Sequence, residues 1–162
     1  SLMLDASSTA VYIAKMLKEK ERKNLTVITN SIEIIIELFD APEWNVLSTG
    51  GVSREGTFAL VGPQTDKMLR SYHVDKAIIS CKGIDLFSGI TDSDELHANN
   101  KKTMLESAKK RILAVDSSKF DKTAFTAIGS LEDVATVVTD EKPEASWLQK
   151  FEELGIECIY PE

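Results

Sequence analysis

The amino-acid sequence predicts an α/β fold, a mostly parallel twisted sheet with helices on both faces. Short apolar, β-branched segments alternate with segments whose apolar residues recur at helical spacing along nearly the whole chain. The segment at 112–115 is also too apolar for a strand with one face in water. Strands that alternate with helices form parallel sheets through right-handed crossovers, which cover both faces. With 162 residues, 43% of them apolar, and no internal linker, we expect a single domain over residues 1–162.

The first half of the chain repeats a strand and helix unit. Residues 1–5 and 25–29 are predicted strands, and a segment with helical spacing follows each of them. The first of these helices covers 10–17, and Pro42 stops the second. The apolar side chains that predict the buried face of the second helix are Ile32, Ile35, Ile36 and Phe39.

The rest of the chain continues the alternation. A third strand at 44–48 leads into a turn at Gly50 and Gly51, and Pro63 then opens a predicted helix that reaches residue 72. The other predicted strands lie at 57–61, 76–81, 112–115, 125–128, 136–139 and 157–160. The other predicted helices lie at 94–110 and 143–154, and a polar, glycine-containing loop is predicted at 82–93.

The charge and the apolar pattern argue against several classes of function. The formal net charge of −7 argues against direct binding of nucleic acid, because that affinity comes largely from Lys and Arg. No segment approaches the roughly 18 apolar residues of a membrane span, and no signal-peptide pattern opens the sequence. We therefore expect a cytoplasmic protein without a membrane partner.

No metal or other cofactor is predicted. His73 and His97 have no cysteine or acidic partner at metal-ligand spacing, so both are interpreted as surface or packing residues. Cys81 and Cys158 lie in apolar segments, where a free thiol behaves as a small buried hydrophobe rather than as a redox group.

Polar residues collect directly after the predicted strands. In a sheet of this kind ligands bind beyond the carboxyl ends of the strands, so these residues share one rim. The residues that follow the strands are Asp5, Ser7, Ser8, Thr9, Thr29, Asn30, Ser31, Gly50, Gly51, Lys82, Asp85, Asp116 and Lys119. The polar loop and the next helix add Gly89, Thr91 and Glu95.

Two clusters of this rim, at 7–9 and 29–31, each precede a predicted helix. The free N–H groups and the positive dipole end of a helix attract anions, and short hydroxyl side chains add donors. Ser8 and Ser31 could equally serve only as helix caps. Two clusters on the same rim, together with a glycine pair and a lysine, favour a phosphorylated ligand.

The charged residues of the rim have separate expected roles. Lys119 follows a buried strand, and its ammonium would pair with the phosphate or polarise a carbonyl, with surface placement as the alternative. Asp5, Asp85 and Glu95 would accept hydrogen bonds from sugar hydroxyls.

The residues at these positions resemble a known family. Seven short motifs occur in the order typical of the effector-binding domain of DeoR-type bacterial transcriptional repressors, and they span nearly the whole chain. They are Asp5-Ala6-Ser7-Ser8-Thr9, Thr29-Asn30-Ser31, Thr49-Gly50-Gly51, Val61-Gly62, Lys82-Gly83-Ile84-Asp85, Gly89-Ile90-Thr91 and Asp116-Ser117-Ser118-Lys119-Phe120. The first motif departs from the family pattern at Ser7, where a glycine is common.

The resemblance implies a sensor domain that follows a winged helix-turn-helix domain. On binding a sugar phosphate, the sensor would make that N-terminal domain release operator DNA. DNA would be contacted only through the N-terminal domain, which we expect to precede the present sequence in a longer chain. The resemblance also implies a homo-oligomer, since repressors of palindromic sites commonly pair.

DeoR-type sensor domains are similar in turn to ribose-5-phosphate isomerase, which implies the Rossmann-like three-layer fold of that enzyme. At the position of the acidic loop of the isomerase, this chain has residues 81–85, which keep only the later carboxylate, Asp85. At the position of the catalytic glutamate, it has Asn-Asn-Lys-Lys at 99–102, so no carboxylate stands there. Proton abstraction next to a carbonyl needs a positioned base, so we expect binding without turnover. The alternatives are an active isomerase or deaminase with Asp85 or Glu95 as base, and a non-catalytic interaction module whose rim is only structural.

Overall fold

Seven parallel strands form the central sheet of the computed structural model, which describes residues 1–162. The strands are β1 (Leu2–Leu4), β2 (Thr26–Thr29), β3 (Asn45–Ser48), β4 (Val52–Ser53), β5 (Leu60–Val61), β6 (Val74–Ile79), β7 (Gly83–Asp85), β8 (Gly89–Asp92), β9 (Ala108–Ala114), β10 (Thr126–Gly129), β11 (Thr136–Val138) and β12 (Glu157–Ile159). The helices are α1 (Ser8–Glu19), α2 (Ile32–Leu38), α3 (Pro63–Arg70), α4 (Glu95–Glu106) and α5 (Ala145–Leu154). The central sheet has the order β12-β11-β9-β6-β1-β2-β3, and all its pairs are parallel. The predicted α/β fold is confirmed.

Helices cover both faces of this sheet. Successive side chains of a strand point to opposite faces, so Leu2 and Leu4 of β1 pack with α1 and α2, whereas Met3 packs in the cluster that includes α3, α4 and α5. The chain winds outward from β1 to β3 on one side and from β6 to β12 on the other. The boundary between β1 and β6 is therefore the topological switch point, where such a sheet opens a crevice at the carboxyl ends of its strands.

The segment at 82–93 was predicted as a polar loop and is an antiparallel hairpin instead. β7 pairs with β8, and β8 pairs with β10 in a small three-stranded sheet. Ile84 and Ile90 are fully buried in the core, and Gly89 closes the turn at a φ of +74°. The strand predicted at 125–128 belongs to this sheet and not to the parallel one. Strands of three or four residues are too short for periodicity to distinguish them from a loop.

One helix end, one buried face and one short strand also differ from the prediction. α4 ends at Glu106, earlier than predicted, because the next residues pair with β6 as part of β9. α2 buries Ile34 and Leu38, which leaves Ile36 and Phe39 68% and 88% exposed. A run of isoleucines offers more than one helical face, and packing against α1 selects between them. The predicted strand at 57–61 shortens to β5, whose partner β4 was not predicted.

None of the five helices is long and apolar enough to cross a membrane. No group of three or more His, Cys, Asp or Glu side chains could hold a metal ion. Cys81 is buried and Cys158 half-buried, both as free thiols, and burial raises the pKa of Cys81 to about 12, so this thiol stays protonated at neutral pH.

Candidate functional site

A cavity of about 550 Å³ lies beyond the carboxyl ends of β1 and β6, at the topological switch point. It is lined by 20 residues, of which only three are hydrophobic. Six of the sixteen residues predicted from the sequence line it, namely Ser7, Ser8, Thr9, Lys82, Asp116 and Lys119. This polar cavity therefore lies at the position expected for a ligand in this kind of sheet.

The N-terminus of α1 forms one wall of the cavity. The cap of this helix is Ser7, not Ser8 as considered from the sequence, because the Ser7 hydroxyl accepts the N–H of Ala10 at 3.1 Å. The same hydroxyl donates to Asp5 at 2.5 Å. Ser8 and Thr9 follow in the first turn, whose backbone N–H groups have no partner within the helix. Hydroxyls and amides at the positive end of the helix thus face the cavity.

A buried lysine lies beneath this wall. The Lys101 ammonium donates to the Ser80 carbonyl at 3.0 Å and to Asp92 at 2.6 Å, and it lies 3.4 Å from Asp5. Two of its three protons are thus in hydrogen bonds, and Asp5 adds a second negative charge beside it. Burial alone would lower the pKa of Lys101, but Asp5 and Asp92 outweigh it and the pKa is raised. Lys101 is therefore a permanently charged part of the cavity floor rather than a free phosphate ligand.

Asp5 joins two loops of the site instead of facing the cavity. One carboxylate oxygen accepts the N–H and the hydroxyl of Ser7, and the other accepts the N–H of Ser80 at 2.8 Å. Its side chain is 1% exposed. The sequence predicted that Asp5 holds sugar hydroxyls, whereas the structure uses its oxygens to fix the loop after β1 against the end of β6.

Two lysines also line the cavity. Lys82 is exposed just beyond β6, and Lys119 ends a short 3-10 turn after β9. The Lys119 ammonium is 3.9 Å from the carboxylate of Asp116, a long ion pair that leaves it open to another anion. A hydrogen bond from the Ser118 hydroxyl lowers the pKa of Asp116, while its partial burial opposes this shift. Asp116 is therefore ionised at neutral pH and keeps the turn in place.

The tip of the hairpin formed by β4 and β5, residues 54–58, lies across the cavity and was not predicted as part of it. Arg54 at this tip forms an ion pair with Asp94, the N-cap of α4. His97 in the first turn of α4 also lines the cavity, although the sequence indicated a surface or packing role. Burial and the charge of Lys101 lower the pKa of His97, so its imidazole is neutral at neutral pH.

The cluster after β2 lies outside the cavity. Thr29 is fully buried; its hydroxyl donates to the Leu4 carbonyl at 2.7 Å and accepts the N–H of Ser31 at 3.0 Å. The Asn30 amide donates to the Leu60 carbonyl at 2.9 Å. Ser31 caps α2, as the alternative interpretation had it. The residue of this region that does line the cavity is Glu33, in the first turn of α2.

Gly50 and Gly51 also lie outside the cavity. Both have positive φ, +64° and +122°, and a Cβ on Gly51 would lie 2.8 Å from the Val61 carbonyl and collide with the Thr65 hydroxyl. That hydroxyl donates to the Gly50 carbonyl at 2.7 Å. Gly51 is therefore needed for close packing against α3, whereas Gly50 has open space around it and is favoured by its positive φ.

The remaining predicted residues belong to the β7 and β8 hairpin or to the surface. Asp85 accepts the N–H groups of Phe87 and Ser88, both at 2.9 Å, which lowers the pKa of its carboxyl. Thr91 is buried and donates to the Gly83 carbonyl. Gly89 sits in the hairpin turn, and Glu95 is exposed at the start of α4. None of these side chains lines the cavity.

A family model described as the DeoR C-terminal sensor domain matches residues 1–141. The chain belongs to this family. The matched segment includes the whole cavity, from the loop after β1 to the turn that carries Lys119.

Curated relatives of this DeoR sensor domain are transcriptional regulators. It is 45% identical over 139 residues to the HTH-type transcriptional regulator YulB of Bacillus subtilis, covering 86% of this chain and 53% of that protein. It is 35% identical over 137 residues to the L-fucose operon activator of Haemophilus influenzae, and the match covers 85% of this chain and 54% of that protein. It is 34% identical over 147 residues to the L-fucose operon activator of Escherichia coli, and the match covers 91% of this chain and 59% of that protein. The chain spans about half the length of the curated relatives it matches.

Solved structures with some similarity to the DeoR sensor domain include two isomerases. Ribose 5-phosphate isomerase from Plasmodium falciparum gives a TM-score of 0.47 at 18% identity, covering 74% of this chain and 44% of that chain. Ribose 5-phosphate isomerase A from Methanocaldococcus jannaschii gives a TM-score of 0.49 at 18% identity, covering 74% of this chain and 45% of that chain. At this degree of similarity the activity of the isomerases does not carry over to this chain.

Proposed function

We propose that this DeoR sensor domain binds a phosphorylated sugar in the cavity at the switch point, and that this binding controls a separate DNA-binding domain. The observation that carries the proposal is the meeting of the α1 N-terminus with Lys82 and Lys119 on one polar cavity. The names of the relatives, HTH-type regulators and operon activators, support a winged helix-turn-helix domain before this one. We infer a cytoplasmic, homo-oligomeric regulator that contacts DNA only through that domain.

The order of the strands supports one location for the phosphate. β9, β6 and β1 are neighbours in the sheet, about 4.8 Å apart from strand to strand. Lys119, Lys82 and the first turn of α1 follow these three strands in turn, and all of them line the cavity, so we place the phosphate among them. Helix N-termini and lysine ammonium groups are both favourable partners of a dianion. Glu33 and Glu55, which also line the cavity, would then accept hydrogen bonds from sugar hydroxyls.

We further propose binding without turnover. A base that removes a proton next to a carbonyl works best with a pKa raised toward neutrality. Hydrogen bonds lower the pKa of Asp116, and although burial alone would raise the pKa of Asp94, the His97 N–H and Arg54 lower it. Both carboxylates are therefore weak bases.

The other candidate bases are also poorly suited to catalysis. Asp85 and Glu95, the bases of the enzyme alternative, lie outside the cavity. Asp92 lines it, but one of its oxygens accepts from Lys101 and the other from the N–H of Ser93. Lys101 stays protonated, so it has no free electron pair for attack on a carbonyl.

Thermal unfolding tests the binding proposal. In a panel of ribose 5-phosphate, fructose 6-phosphate, fructose 1-phosphate, glucose 6-phosphate and their unphosphorylated parents, we expect at least one phosphate to raise the melting temperature. A ligand at 100 times its dissociation constant stabilises the folded state by about 2.7 kcal/mol, which corresponds to about 5 to 10 °C for a domain of this size. If a sugar and its phosphate shift the melting temperature equally, the phosphate group does not contribute to binding and the proposed phosphate site is wrong.

The same panel tests the absence of turnover. We expect no interconversion of aldose and ketose phosphates above the uncatalysed rate when product formation is followed by NMR, because Asp92, Asp94 and Asp116 of the cavity are all held in hydrogen bonds of the protein. Isomerisation that disappears in Asp92→Asn or Asp94→Asn would instead establish an enzyme.

A further inference from the structure

One cation of the cavity is already paired with a carboxylate of the protein. Arg54 Nη1 lies 2.5 Å from Asp94 Oδ2, and both residues line the cavity. The other oxygen of Asp94 accepts the N–H groups of Leu96 and His97 and so caps α4. The pair therefore connects the hairpin tip, residues 54–58, to the N-terminus of α4.

The hairpin tip has few other attachments. β4 and β5 contain two residues each, and all residues of the tip are exposed. The hydrogen bonds of Thr57 go back to Arg54 within the tip itself. Only at its end does the Phe58 carbonyl accept the N–H of Ile32 at 2.8 Å. The ion pair with Asp94 is therefore the only side-chain hydrogen bond or salt bridge that joins residues 54–58 to another element of the chain.

A phosphate is a stronger partner for Arg54 than Asp94 is. A guanidinium presents a planar set of donors that matches phosphate oxygens, and it remains charged at any pH of interest. A phosphate dianion offers three acceptor oxygens and up to twice the charge of a carboxylate. The side chains of Arg54 and Asp94 are 43% and 29% exposed, so water already competes for their ion pair, which is the condition in which such pairs are weak.

We propose that Arg54 is a phosphate-binding residue: the phosphate of the ligand displaces Asp94 from the guanidinium, and the hairpin tip closes over the cavity. In the free domain Asp94 keeps Arg54 at the cavity, and in the complex Arg54 joins Lys82 and Lys119 around the phosphate. The inference rests on the sugar-phosphate site proposed above and adds to it the residue that couples binding to a movement of the chain.

Two substitutions at this ion pair should have opposite effects on binding. Arg54→Gln removes a charged donor and should weaken binding about tenfold or more, the usual effect of losing a hydrogen bond to a charged group. Asp94→Asn releases Arg54 and should tighten binding about two- to fivefold, which is the range for an exposed ion pair. Asparagine caps a helix as well as aspartate does, so α4 should be unaffected. The measurement is calorimetric titration with ribose 5-phosphate and, independently of the sugar, with inorganic phosphate.

Matched variants separate displacement from simple removal of negative charge. Glu95→Gln also removes one carboxylate from the N-terminal end of α4, but Glu95 lies outside the cavity and forms no ion pair, so the gain should be smaller than in Asp94→Asn. In an Arg54→Gln background, Asp94→Asn should produce no gain at all. A gain that is equal in Glu95→Gln, or that persists without Arg54, would overturn the proposal. If Asp94→Asn fails to fold, Asp94→Ser keeps a capping hydroxyl and makes the same test.

The outcome distinguishes this inference from the proposed function. If Lys119→Met abolishes binding of the probes while Arg54→Gln binds them like the wild type, the phosphate site stands and the displacement of Asp94 is wrong. If the folded wild type binds neither inorganic phosphate nor any sugar phosphate of the panel, the proposed function fails and the displacement fails with it.

Discussion

Lys119→Met should weaken binding of the tightest sugar phosphate of the panel by about one to two orders of magnitude and leave the domain folded. Its ammonium would form a charge-assisted hydrogen bond to the phosphate, and such bonds contribute about 1.5 to 3 kcal/mol. In the free domain the ammonium has only a long contact, 3.9 Å, with Asp116. Methionine preserves most of the packing of the aliphatic stem, so the stability of the free domain should change by less than about 0.5 kcal/mol.

The control for this substitution is Lys122→Met. Lys122 lies on the same segment, three positions further along and outside the cavity, so its removal changes the net charge equally without removing a contact. Calorimetric titration should show wild-type affinity for this variant. In a full-length regulator, Lys119→Met should still bind operator DNA but no longer respond to the sugar phosphate, because an effector acts only through its different affinities for two states. If the folded Lys119→Met variant binds the sugar phosphate with wild-type affinity, Lys119 does not bind the ligand and is an ordinary surface lysine.

The location of the cavity followed from the sequence because it depends on local signals. Strands and helices alternate visibly, and the residues just after a parallel strand must lie at its carboxyl end. Ser7 to Thr9 and Lys82 were therefore placed correctly without knowledge of the strand order. The order itself, β12-β11-β9-β6-β1-β2-β3, is a property of tertiary pairing that no local pattern encodes.

The predicted residues that lie outside the cavity show what local sequence patterns cannot distinguish. A hydroxyl that follows a strand gives the same pattern whether it binds a ligand or satisfies the backbone of its own loop. Thr29 and Ser31 satisfy the backbone, and Gly51 provides space for Thr65. Only the position of β2 and β3 relative to β1 and β6 distinguishes these two roles.

The residues that were missed come from elements remote in sequence. Arg54 and Asp94 reach the cavity through the packing of a small hairpin and of α4, and neither belongs to a pattern of its own. Lys101 did carry a signal: with Ala98 and Leu105 it forms the i, i+3, i+7 spacing of a buried helical face. A lysine on such a face needs buried acidic partners, which would have directed attention to carboxylates at the ends of β1 and β8.

Lys101→Met is expected to have the largest effect on stability, a loss of about 3 to 5 kcal/mol in the free energy of unfolding. Removing one partner of a buried ion pair leaves the other charge without compensation. Here two carboxylates, Asp5 and Asp92, are 1% and 4% exposed and would lose their common cation. For a domain of this size the loss corresponds to a fall in melting temperature of about 6 to 20 °C. Urea unfolding monitored by circular dichroism measures the difference.

The pH dependence of this loss has a definite sign. The pKa of Lys101 is raised above its ordinary value of 10.5, because Asp5 and Asp92 outweigh the effect of burial. A group whose pKa is higher in the folded state contributes stability that is complete below its unfolded value and disappears as the pH rises through the folded one. The difference in stability between wild type and Lys101→Met should therefore be constant from about pH 6 to 9 and should shrink only above about 10.5.

Two further variants test whether the uncompensated carboxylates are the cause. Lys102→Met removes the neighbouring exposed lysine of the same helix and should change stability by less than about 0.5 kcal/mol. Adding Asp92→Asn to Lys101→Met removes one of the two unpaired charges, so the double variant should be more stable than Lys101→Met alone, although Asp92→Asn by itself destabilises the wild type. If the losses of stability in the double variant are independent and additive, Lys101 stabilises the domain by packing and not by its charge. The charges of Lys101 and Asp92 would then contribute no interaction energy to the stability of the domain.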